Sequence, residues 1–252
     1  MGKFDDILLL TDLDGTFFMP DSIDISEENL TAVNYFIKNG GHFSVATGRQ
    51  PFFIKEVIGT KIINAPVISA NGTLVYDLKE DRILYKETLP ENAVNVVEYV
   101  KTNYPDMHAE ANRVELSEPY DYTNPDFSKK DVLKVLFWHD SSAEMILKLK
   151  HELTELFPQY YFVRCAANGL ELLPGNCSKG ACLDKIRSIL PIKKIIAAGD
   201  YENDITLIQN ADIGYAAENG VDELKKLADR VGRSCGENLI AQIIYDLDSK
   251  GG

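Results

Sequence analysis

The chain has 252 residues, 45% of them apolar and 26% charged, which is enough to bury one large core or two smaller ones. Its net charge of −13 argues against a nucleic-acid-binding surface, which needs clustered lysine and arginine, and leaves room only for an anion site that is made locally positive. No apolar run approaches the length of a membrane span and the N-terminus lacks the pattern of a secretory signal, so we expect a cytoplasmic protein with no membrane partner. The four cysteines lack zinc-ligand spacing, so we expect them to be reduced thiols.

The first third of the chain alternates short apolar strands with helix-length segments. Ile7 to Leu10 form an apolar run that is typical of a strand buried on both faces of a sheet. Ser26 is the expected N-cap of a helix that runs to about Asn39. The pattern then predicts strands at 42–46 and 66–70, a helix at 51–58, and a hairpin from 73–78 and 83–87.

The middle of the chain, 83–174, has a different pattern and is rich in aromatic residues. Helix-like stretches at 91–103 and 142–156 accompany strand-like stretches at 133–139 and 160–166. We interpret this region as an inserted α+β domain.

The C-terminal part returns to alternation, with a helix from Ser178 to about Leu190 and a strand at 194–198. Further predicted elements are a helix from about Asn203, a strand at 213–216, and helices at 222–227 and 238–247. Strand–helix alternation indicates parallel strands joined by right-handed crossovers. The predicted fold class is therefore α/β: a doubly wound, Rossmann-like core of 1–82 and 175–252 with an α+β cap at 83–174.

Polar residues stand where several of these strands end. Asp12 and Asp14 follow the first strand, Thr47-Gly48 the second and Asp200 a later one, while Lys179 opens a helix. Residues i and i+2 of an extended chain point to the same side, roughly 6–7 Å apart, so the first two carboxylates face one small volume. The carboxyl ends of parallel strands share one edge of a sheet, so all of these side chains can meet there.

Each of these signals has an ordinary structural interpretation when it is taken alone. Asp12-Leu13-Asp14-Gly15 fits a turn or a calcium loop as well as a catalytic pair, although Ile23 stands where an EF-hand loop needs glutamate. Asn71-Gly72 is typical of a hairpin turn. Arg49 could contact a ligand or pair with a nearby acid, and Asn203 could cap its helix or face the site.

Taken together, the motifs resemble those of the haloacid dehalogenase-like hydrolases, in particular the Cof-type phosphatases with a cap between the second and third motifs. The resemblance covers the whole chain, with one departure where the family usually has Gly-Asn-Ala and this chain has Ala216-Ala217-Glu218-Asn219-Gly220. The matching segments are Asp12-Leu13-Asp14-Gly15-Thr16, Ala46-Thr47-Gly48-Arg49, Asn176-Cys177-Ser178-Lys179-Gly180, and Gly199-Asp200 with Asn203-Asp204.

The resemblance implies hydrolysis of phosphate monoesters through an aspartyl-phosphate, with Mg²⁺ as cofactor. Asp12 would be the nucleophile, Asp14 the proton donor and acceptor, and Lys179 the cation that neutralises both nucleophile and phosphate. Mg²⁺ prefers hard oxygen ligands. Its expected ligands are Asp12, Asp200, the backbone carbonyl of Asp14, and Asp204 either directly or through water.

The expected substrate is a small phosphorylated metabolite, with sugar phosphates first and a phosphorylated cofactor such as pyridoxal phosphate next. A phosphomutase or a sugar-phosphate-specific phosphatase of the same superfamily is an alternative, as is a non-catalytic sensor of phosphorylated ligands. The sequence does not indicate the oligomeric state. The resemblance assigns substrate contacts to Gly15, Thr47, Gly48, Lys179, Asn203 and Asn71, and the cap candidate is Arg113 with its neighbours Asn112 and Glu115.

Overall fold

The structure is a computed structural model that describes residues 2–114, 127–129, 131–140 and 142–249. The strands of this part of the chain are β1 (Ile7–Thr11), β2 (His42–Val45), β3 (Val67–Ser69), β4 (Leu74–Asp77), β5 (Arg82–Lys86), β6 (His108–Arg113), β7 (Val132–Trp138), β8 (Tyr160–Ala166), β9 (Gly169–Pro174), β10 (Lys194–Gly199), β11 (Ile213–Ala216) and β12 (Arg230–Val231). The α-helices are α1 (Glu27–Lys38), α2 (Pro51–Val57), α3 (Val94–Asn103), α4 (Ala143–Leu156), α5 (Leu183–Ile189), α6 (Ile205–Asn210), α7 (Asp222–Leu227) and α8 (Leu239–Ser249).

The centre of the molecule is a parallel sheet in the order β12-β11-β10-β1-β2. β1 lies between two neighbours, with Leu9 opposite Ile196 on one side and Phe43 on the other. A parallel bridge between Ala46 and Ile68 brings β3 beside β2. The apolar run that predicted a fully covered strand therefore lies in the interior of this sheet.

Two apolar clusters cover the two faces of this sheet. Leu9 packs with α1 and α8 on one face, whereas Leu8 and Leu10 pack with α5, α6 and α7 on the other. Successive side chains of a strand point to opposite faces, so a strand covered on both sides must be apolar at every position. Ser26 caps α1 as predicted, its Oγ accepting a hydrogen bond from the Asn29 N–H at 3.1 Å. The doubly wound α/β core is confirmed.

The insertion forms a second layer with its own apolar cluster. Its antiparallel sheet has the order β6-β7-β9-β8, and α3 and α4 pack on one face through side chains such as Val97 and Leu149. Neither β6 nor β9 was predicted. The charged and polar residues in His108–Arg113 and the Glu171 carboxylate within β9 interrupt the apolar pattern by which strands are recognised.

The predicted boundary at residue 83 divides a hairpin. β5 pairs with β4, Leu74 lying opposite Lys86, and Leu84 and Tyr85 pack on the core cluster. The apolar cluster of the insertion begins only at Leu89. We therefore move the proposed start of the cap to about residue 88, because the hairpin belongs to the core by its pairing and packing.

Two predicted helices begin later than expected. The segment after Ser178 starts with a 3-10 turn, Gly180–Cys182, before α5, and the segment at Asn203 lies in another, Glu202–Asp204, before α6. A Cβ at Gly180 would lie 2.1 Å from the carbonyl oxygen of Thr206 in α6, so the first 3-10 turn packs too closely on α6 for a side chain at this position. All four cysteines are free thiols, as expected. No helix in the described ranges has the length and apolarity needed to cross a membrane.

Candidate active site

Three carboxylates meet at the carboxyl edge of the central sheet. Asp12 follows β1 and continues its ladder, its N–H donating to the Ala198 carbonyl at 2.9 Å. Asp200 follows β10, and Asp204 lies one turn further along. One carboxylate oxygen from each of the three lies within 4.8 Å of the other two. The topology thus brings together residues that are nearly 190 positions apart, as the parallel-sheet argument predicted.

A single lysine is buried among these acids. Lys179 has no exposed surface, and its Nζ donates to Asp12 Oδ1 at 2.7 Å and to Asp204 Oδ1 at 2.6 Å. Charge-assisted hydrogen bonds of this length are among the stronger ones in proteins. With Asp200 nearby, the cluster still holds more negative charge than its one ammonium group balances.

The pKa values of these groups reflect that imbalance. Burial raises the pKa of Asp12 well above its ordinary value, against the opposing attraction of Lys179. Burial and then the charge of Asp204 raise the pKa of Asp200 to about 7. Burial alone would lower the pKa of Lys179, but the attraction of Asp12 and Asp204 outweighs it and raises that pKa. With all three carboxylates ionised, the cluster therefore has more negative charge than Lys179 neutralises.

A divalent cation with hard oxygen ligands fits this arrangement. Asp12 Oδ2 and Asp200 Oδ2 accept no hydrogen bond from any residue that the structure describes, and Asp200 Oδ1 accepts one from Thr16 Oγ1 at 2.9 Å. Asp204 is more fully engaged, because its Oδ2 accepts from the N–H groups of Asp200 at 3.0 Å and Tyr201 at 3.2 Å. The free oxygens on Asp12 and Asp200 and the excess negative charge of the cluster suit Mg²⁺.

Two glycines allow the loops of the cluster to approach one another. Gly15 has φ +78°, and a Cβ there would lie 2.4 Å from Asp200 Oδ2. Gly72 has φ +95°, and a Cβ there would lie 2.1 Å from the Ser178 carbonyl oxygen. The second approach places the turn after β3 against the turn that carries Lys179. Side chains at either position would collide with the site, so both glycines are required by its shape.

The loop after β2 holds Asp14. The Arg49 guanidinium binds the Asp14 carboxylate with two hydrogen bonds, Nε to Oδ2 at 3.0 Å and Nη2 to Oδ1 at 2.8 Å. Arg49 also lies over the Phe53 ring at 4.5 Å, and its N–H donates to the buried Thr47 hydroxyl at 3.1 Å. Of the two alternatives for Arg49, pairing with an acid is therefore what the structure shows.

Asp14 and Arg49 line an open cleft of about 810 Å³. Asn219 also lines this cleft, and its Nδ2 donates to the Gly15 carbonyl at 2.8 Å while its Oδ1 accepts from the Cys235 N–H at 2.8 Å. Asn219 thus fixes the turn after Asp14, despite the unusual residues around it. The half-exposed Asp14 carboxylate is the acid that faces solvent, whereas Asp12 is buried.

Comparison with known proteins now decides the family. The family model described as haloacid dehalogenase-like hydrolase matches residues 9–244. The chain belongs to this family. Its members are hydrolases with an aspartate nucleophile, so the chain is an enzyme of that class.

Two curated relatives of the haloacid dehalogenase-like chain are named phosphatases. The HMP-PP phosphatase of Klebsiella pneumoniae (strain 342) is 27% identical over 234 residues, which cover 85% of each chain. The 5-amino-6-(5-phospho-D-ribitylamino)uracil phosphatase YwtE of Bacillus subtilis (strain 168) is 26% identical and covers 94% of this chain and 96% of its own. Among solved structures, the subclass IIB sugar phosphatase BT4131 has a TM-score of 0.79 at 20% identity, covering 96% of this chain and 98% of its own, which supports the fold.

The cap of this haloacid dehalogenase-like hydrolase reaches the site through a buried ion pair that the sequence did not indicate. Lys134 on β7 donates to Glu171 Oε1 on β9 at 2.5 Å and to the Gly48 carbonyl at 3.0 Å. Both side chains are at most 5% exposed. We call Lys134 and Glu171 the cap bridge. A lysine inside the apolar run of β7 was the available signal.

The cap bridge continues into two predicted substrate contacts. Asn71 donates through Nδ2 to Glu171 Oε2 at 2.6 Å, and its Oδ1 accepts from Asn203 Nδ2 at 3.1 Å. The Asn203 side chain therefore points toward Asn71. Asp204, whose Oδ2 accepts from the Tyr201 N–H, caps the 3-10 turn Glu202–Asp204 instead. Asn71 has φ +55°, a conformation that asparagine tolerates better than most residues. The two amides and the cap bridge form one chain of hydrogen bonds.

Glu202 makes a second contact between core and cap. It binds Lys150 of α4, and its Oε2 accepts from Arg164 Nε at 2.7 Å while its Oε1 accepts from the Arg164 N–H at 3.1 Å. The motif match, Gly199-Asp200 with Asn203-Asp204, does not include Glu202 and did not predict this contact. The predicted cap contact Arg113 pairs with Asp131 inside the cap, Asn112 lines a small cleft beside Gly48, and Glu115 lies outside the described residues.

Proposed function

We propose that this enzyme is a Mg²⁺-dependent phosphatase that hydrolyses small phosphorylated metabolites through an aspartyl-phosphate on Asp12. The observation that supports it most directly is the state of Asp12, which has one oxygen held by Lys179 and the other free at the edge of the sheet. The named activity of the relatives on phosphorylated metabolites supports the same substrate class. Sugar phosphates are the first expected substrates.

Electrostatics explains why a lysine and a cation belong here. A carboxylate about 4 Å from a phosphate oxygen is repelled by about 4 kcal/mol per charge pair at an effective dielectric near 20. Lys179 offsets part of this repulsion, and its charge favours the ionised form of Asp12. Mg²⁺ held by Asp12, Asp200, the Asp14 carbonyl and Asp204 would supply the remaining positive charge and polarise the phosphate.

In the first half of the reaction, the free Asp12 oxygen attacks phosphorus and the bond from phosphorus to the leaving alcohol breaks. Asp14 gives its proton to the leaving oxygen. Since Arg49 binds both Asp14 oxygens, Asp14 must exchange at least one of these hydrogen bonds for the substrate. Thr47 and Gly48, in the loop beside Asp14, would bind the phosphate oxygens.

In the second half, Asp14 takes a proton from water, and the resulting hydroxide attacks the phosphorus of the aspartyl-phosphate. The bond from phosphorus to Asp12 breaks, which releases inorganic phosphate and restores the carboxylate. A cap held over the site limits bulk water to the molecule that Asp14 activates.

A phosphate-release screen over sugar phosphates, pyridoxal phosphate and p-nitrophenyl phosphate, each with Mg²⁺ and with EDTA, tests the proposal. We expect Mg²⁺-dependent release that falls about 10³-fold or more in Asp12→Asn. The matched control, Asp106→Asn, changes an exposed cap carboxylate and should retain full activity. Undiminished Mg²⁺-dependent release by Asp12→Asn would contradict the proposal, and isomerisation of a bisphosphorylated sugar without release would indicate a phosphomutase instead.

A further inference from the structure

The face of the cap sheet that looks toward the core carries polar side chains. On β6, Ala111 points into the apolar cluster of the cap, so Glu110 and Asn112 point to the opposite face. The register places Asn112 opposite Lys134, whose ammonium group reaches the Gly48 carbonyl. Glu110 and Asn112 therefore lie on the face of the sheet from which the cap bridge contacts the core.

These two residues line a cleft of about 220 Å³ between cap and core. The core wall is formed by Gly48 and Arg49 and by the start of α2, where Gln50, Phe52 and Phe53 lie. Gly48 is itself one of the two proposed phosphate contacts, so the cleft begins at the expected position of the phosphate. Its volume is below the ~300–1,000 Å³ of pockets for drug-sized ligands, which favours a group of about one ring.

The cleft offers hydrogen-bond acceptors that lack partners. Gln50 Oε1 is buried and has no hydrogen-bond partner among the described residues. Glu110 Oε1 accepts a hydrogen bond from Asn112 Nδ2 at 3.3 Å, and Oε2 accepts none from the described part of the chain. An unpaired buried acceptor is unfavourable, so a ligand group that donates a hydrogen bond to it is favoured.

The hydrogen-bond donors and the apolar surface of the cleft further limit the chemical class of ligand that fits. Before substrate binds, the Arg49 guanidinium donates to Asp14 through Nε and Nη2. The Glu110 carboxylate repels a second phosphate or carboxylate on the ligand. Phe52 is 51% exposed at the cleft and offers an apolar ring face. Acceptors beside an aromatic face suit a ring that carries hydroxyl or amino groups.

We propose that this cleft is the specificity subsite for the leaving group and that it selects monophosphates of hydroxyl- or amino-bearing ring compounds. Glu110 and Gln50 accept hydrogen bonds from the hydroxyl or amino groups, and Phe52 packs on the ring. The proposal rests on the proposed phosphatase function. It excludes substrates with a second anionic group at the far end.

Steady-state kinetics of three substrates tests the subsite: glucose 6-phosphate, fructose 1,6-bisphosphate, and p-nitrophenyl phosphate, whose leaving group has no hydroxyl donor to offer. In Glu110→Gln we expect KM for glucose 6-phosphate to rise about tenfold, which corresponds to about 1.4 kcal/mol, with kcat within about twofold. Kinetics with p-nitrophenyl phosphate should not change. Phe52→Ala, an exposed site, should act in the same direction, and Glu98→Gln on the exposed face of α3 should have no effect.

The outcomes separate this proposal from the proposed function. Hydrolysis of p-nitrophenyl phosphate together with equal effects of Glu110→Gln on both monophosphates would overturn the subsite, since it would indicate a structural role. The subsite is also overturned if wild-type enzyme prefers the bisphosphate, or cleaves p-nitrophenyl phosphate and not glucose 6-phosphate. Absence of phosphate release from every substrate would instead refute the phosphatase function.

Discussion

Two buried clusters of opposite charges in the described part of the chain, the cap bridge and the acids around Lys179, are built differently. In the cap bridge, one lysine meets one glutamate, and the remaining glutamate oxygen accepts from Asn71. At the end of the central sheet, one lysine meets Asp12 and Asp204, with Asp200 beside them. The first cluster is balanced and both of its carboxylate oxygens accept hydrogen bonds, whereas the second has excess negative charge and free oxygens. A buried charge that the fold leaves unbalanced indicates a binding site, whereas a balanced pair such as the cap bridge indicates a structural contact between cap and core.

The largest expected effect comes from removing the lysine of the unbalanced cluster. Lys179→Met leaves Asp12 and Asp204 facing each other without a cation, so we expect the free energy of unfolding to fall by about 3–5 kcal/mol at pH 8 in EDTA. Denaturant unfolding measures this. Lys193→Met, which breaks an exposed pair with Asp6, is the control and should change stability little. Equal stability of the two variants would contradict the description of the cluster.

The balanced cluster should respond to removal of either partner but not of both. Lys134→Met leaves the Glu171 carboxylate buried and unpaired, and we expect a loss of about 3 kcal/mol. The double variant Lys134→Met/Glu171→Leu should recover most of that loss, because it removes the buried charges together. Denaturant unfolding of both variants is the measurement, and a double variant less stable than Lys134→Met alone would show that the bridge is more than a balanced pair.

Addition of Mg²⁺ should distinguish the two clusters, because only the cluster around Lys179 is expected to bind the metal. At a concentration 100 times its Kd, Mg²⁺ should raise the free energy of unfolding of the wild type by about 2.7 kcal/mol relative to EDTA. Thermal melts should show the same gain in Glu171→Gln, because the cap bridge holds no metal ligand. The gain should disappear in Asp200→Asn, and its persistence there would place the metal elsewhere.

The smallest expected effect concerns pH. Asp200 has a pKa of about 7 in the folded protein against an ordinary 3.8, so between these values the folded state holds a proton that the unfolded state has lost. Its contribution to the free energy of unfolding therefore falls as pH rises from about 4 to about 7. In EDTA, Asp200→Asn should melt at a higher temperature than wild type at pH 8, with a smaller gain at pH 5. A gain that is the same at both pH values would contradict this assignment.

The sequence was sufficient for the central sheet and for the acids at its edge, because both follow from local patterns. An apolar run followed by Asp12 fixes a buried strand and its polar end, and the parallel topology then brings Asp200 to the same place. The partner of Arg49 could not be predicted, since the choice between a ligand and Asp14 depends on how two loops approach in three dimensions.

The cap bridge was missed for a different physical reason. Lys134 finds its partner 37 residues away on a strand that carries no clear alternation, and its second acceptor is a backbone carbonyl, which has no sequence signature. The contacts of Glu202 were missed because the motif match includes only its neighbours Asp200, Asn203 and Asp204. Contacts between layers depend on which faces meet, and periodicity within one element does not contain that information.

The close approach of Gly72 to Ser178 has a genetic consequence. A loss-of-function screen would register position 72 beside the catalytic acids, although it supplies no reacting atom and stands more than 100 residues before the lysine that it helps to place. Compensating second mutations should be rare, because the colliding partner is a backbone oxygen that no substitution can shorten. A map of mutational tolerance would thus show an intolerant position in the turn at Gly72, although the composition of this turn is that of an ordinary hairpin.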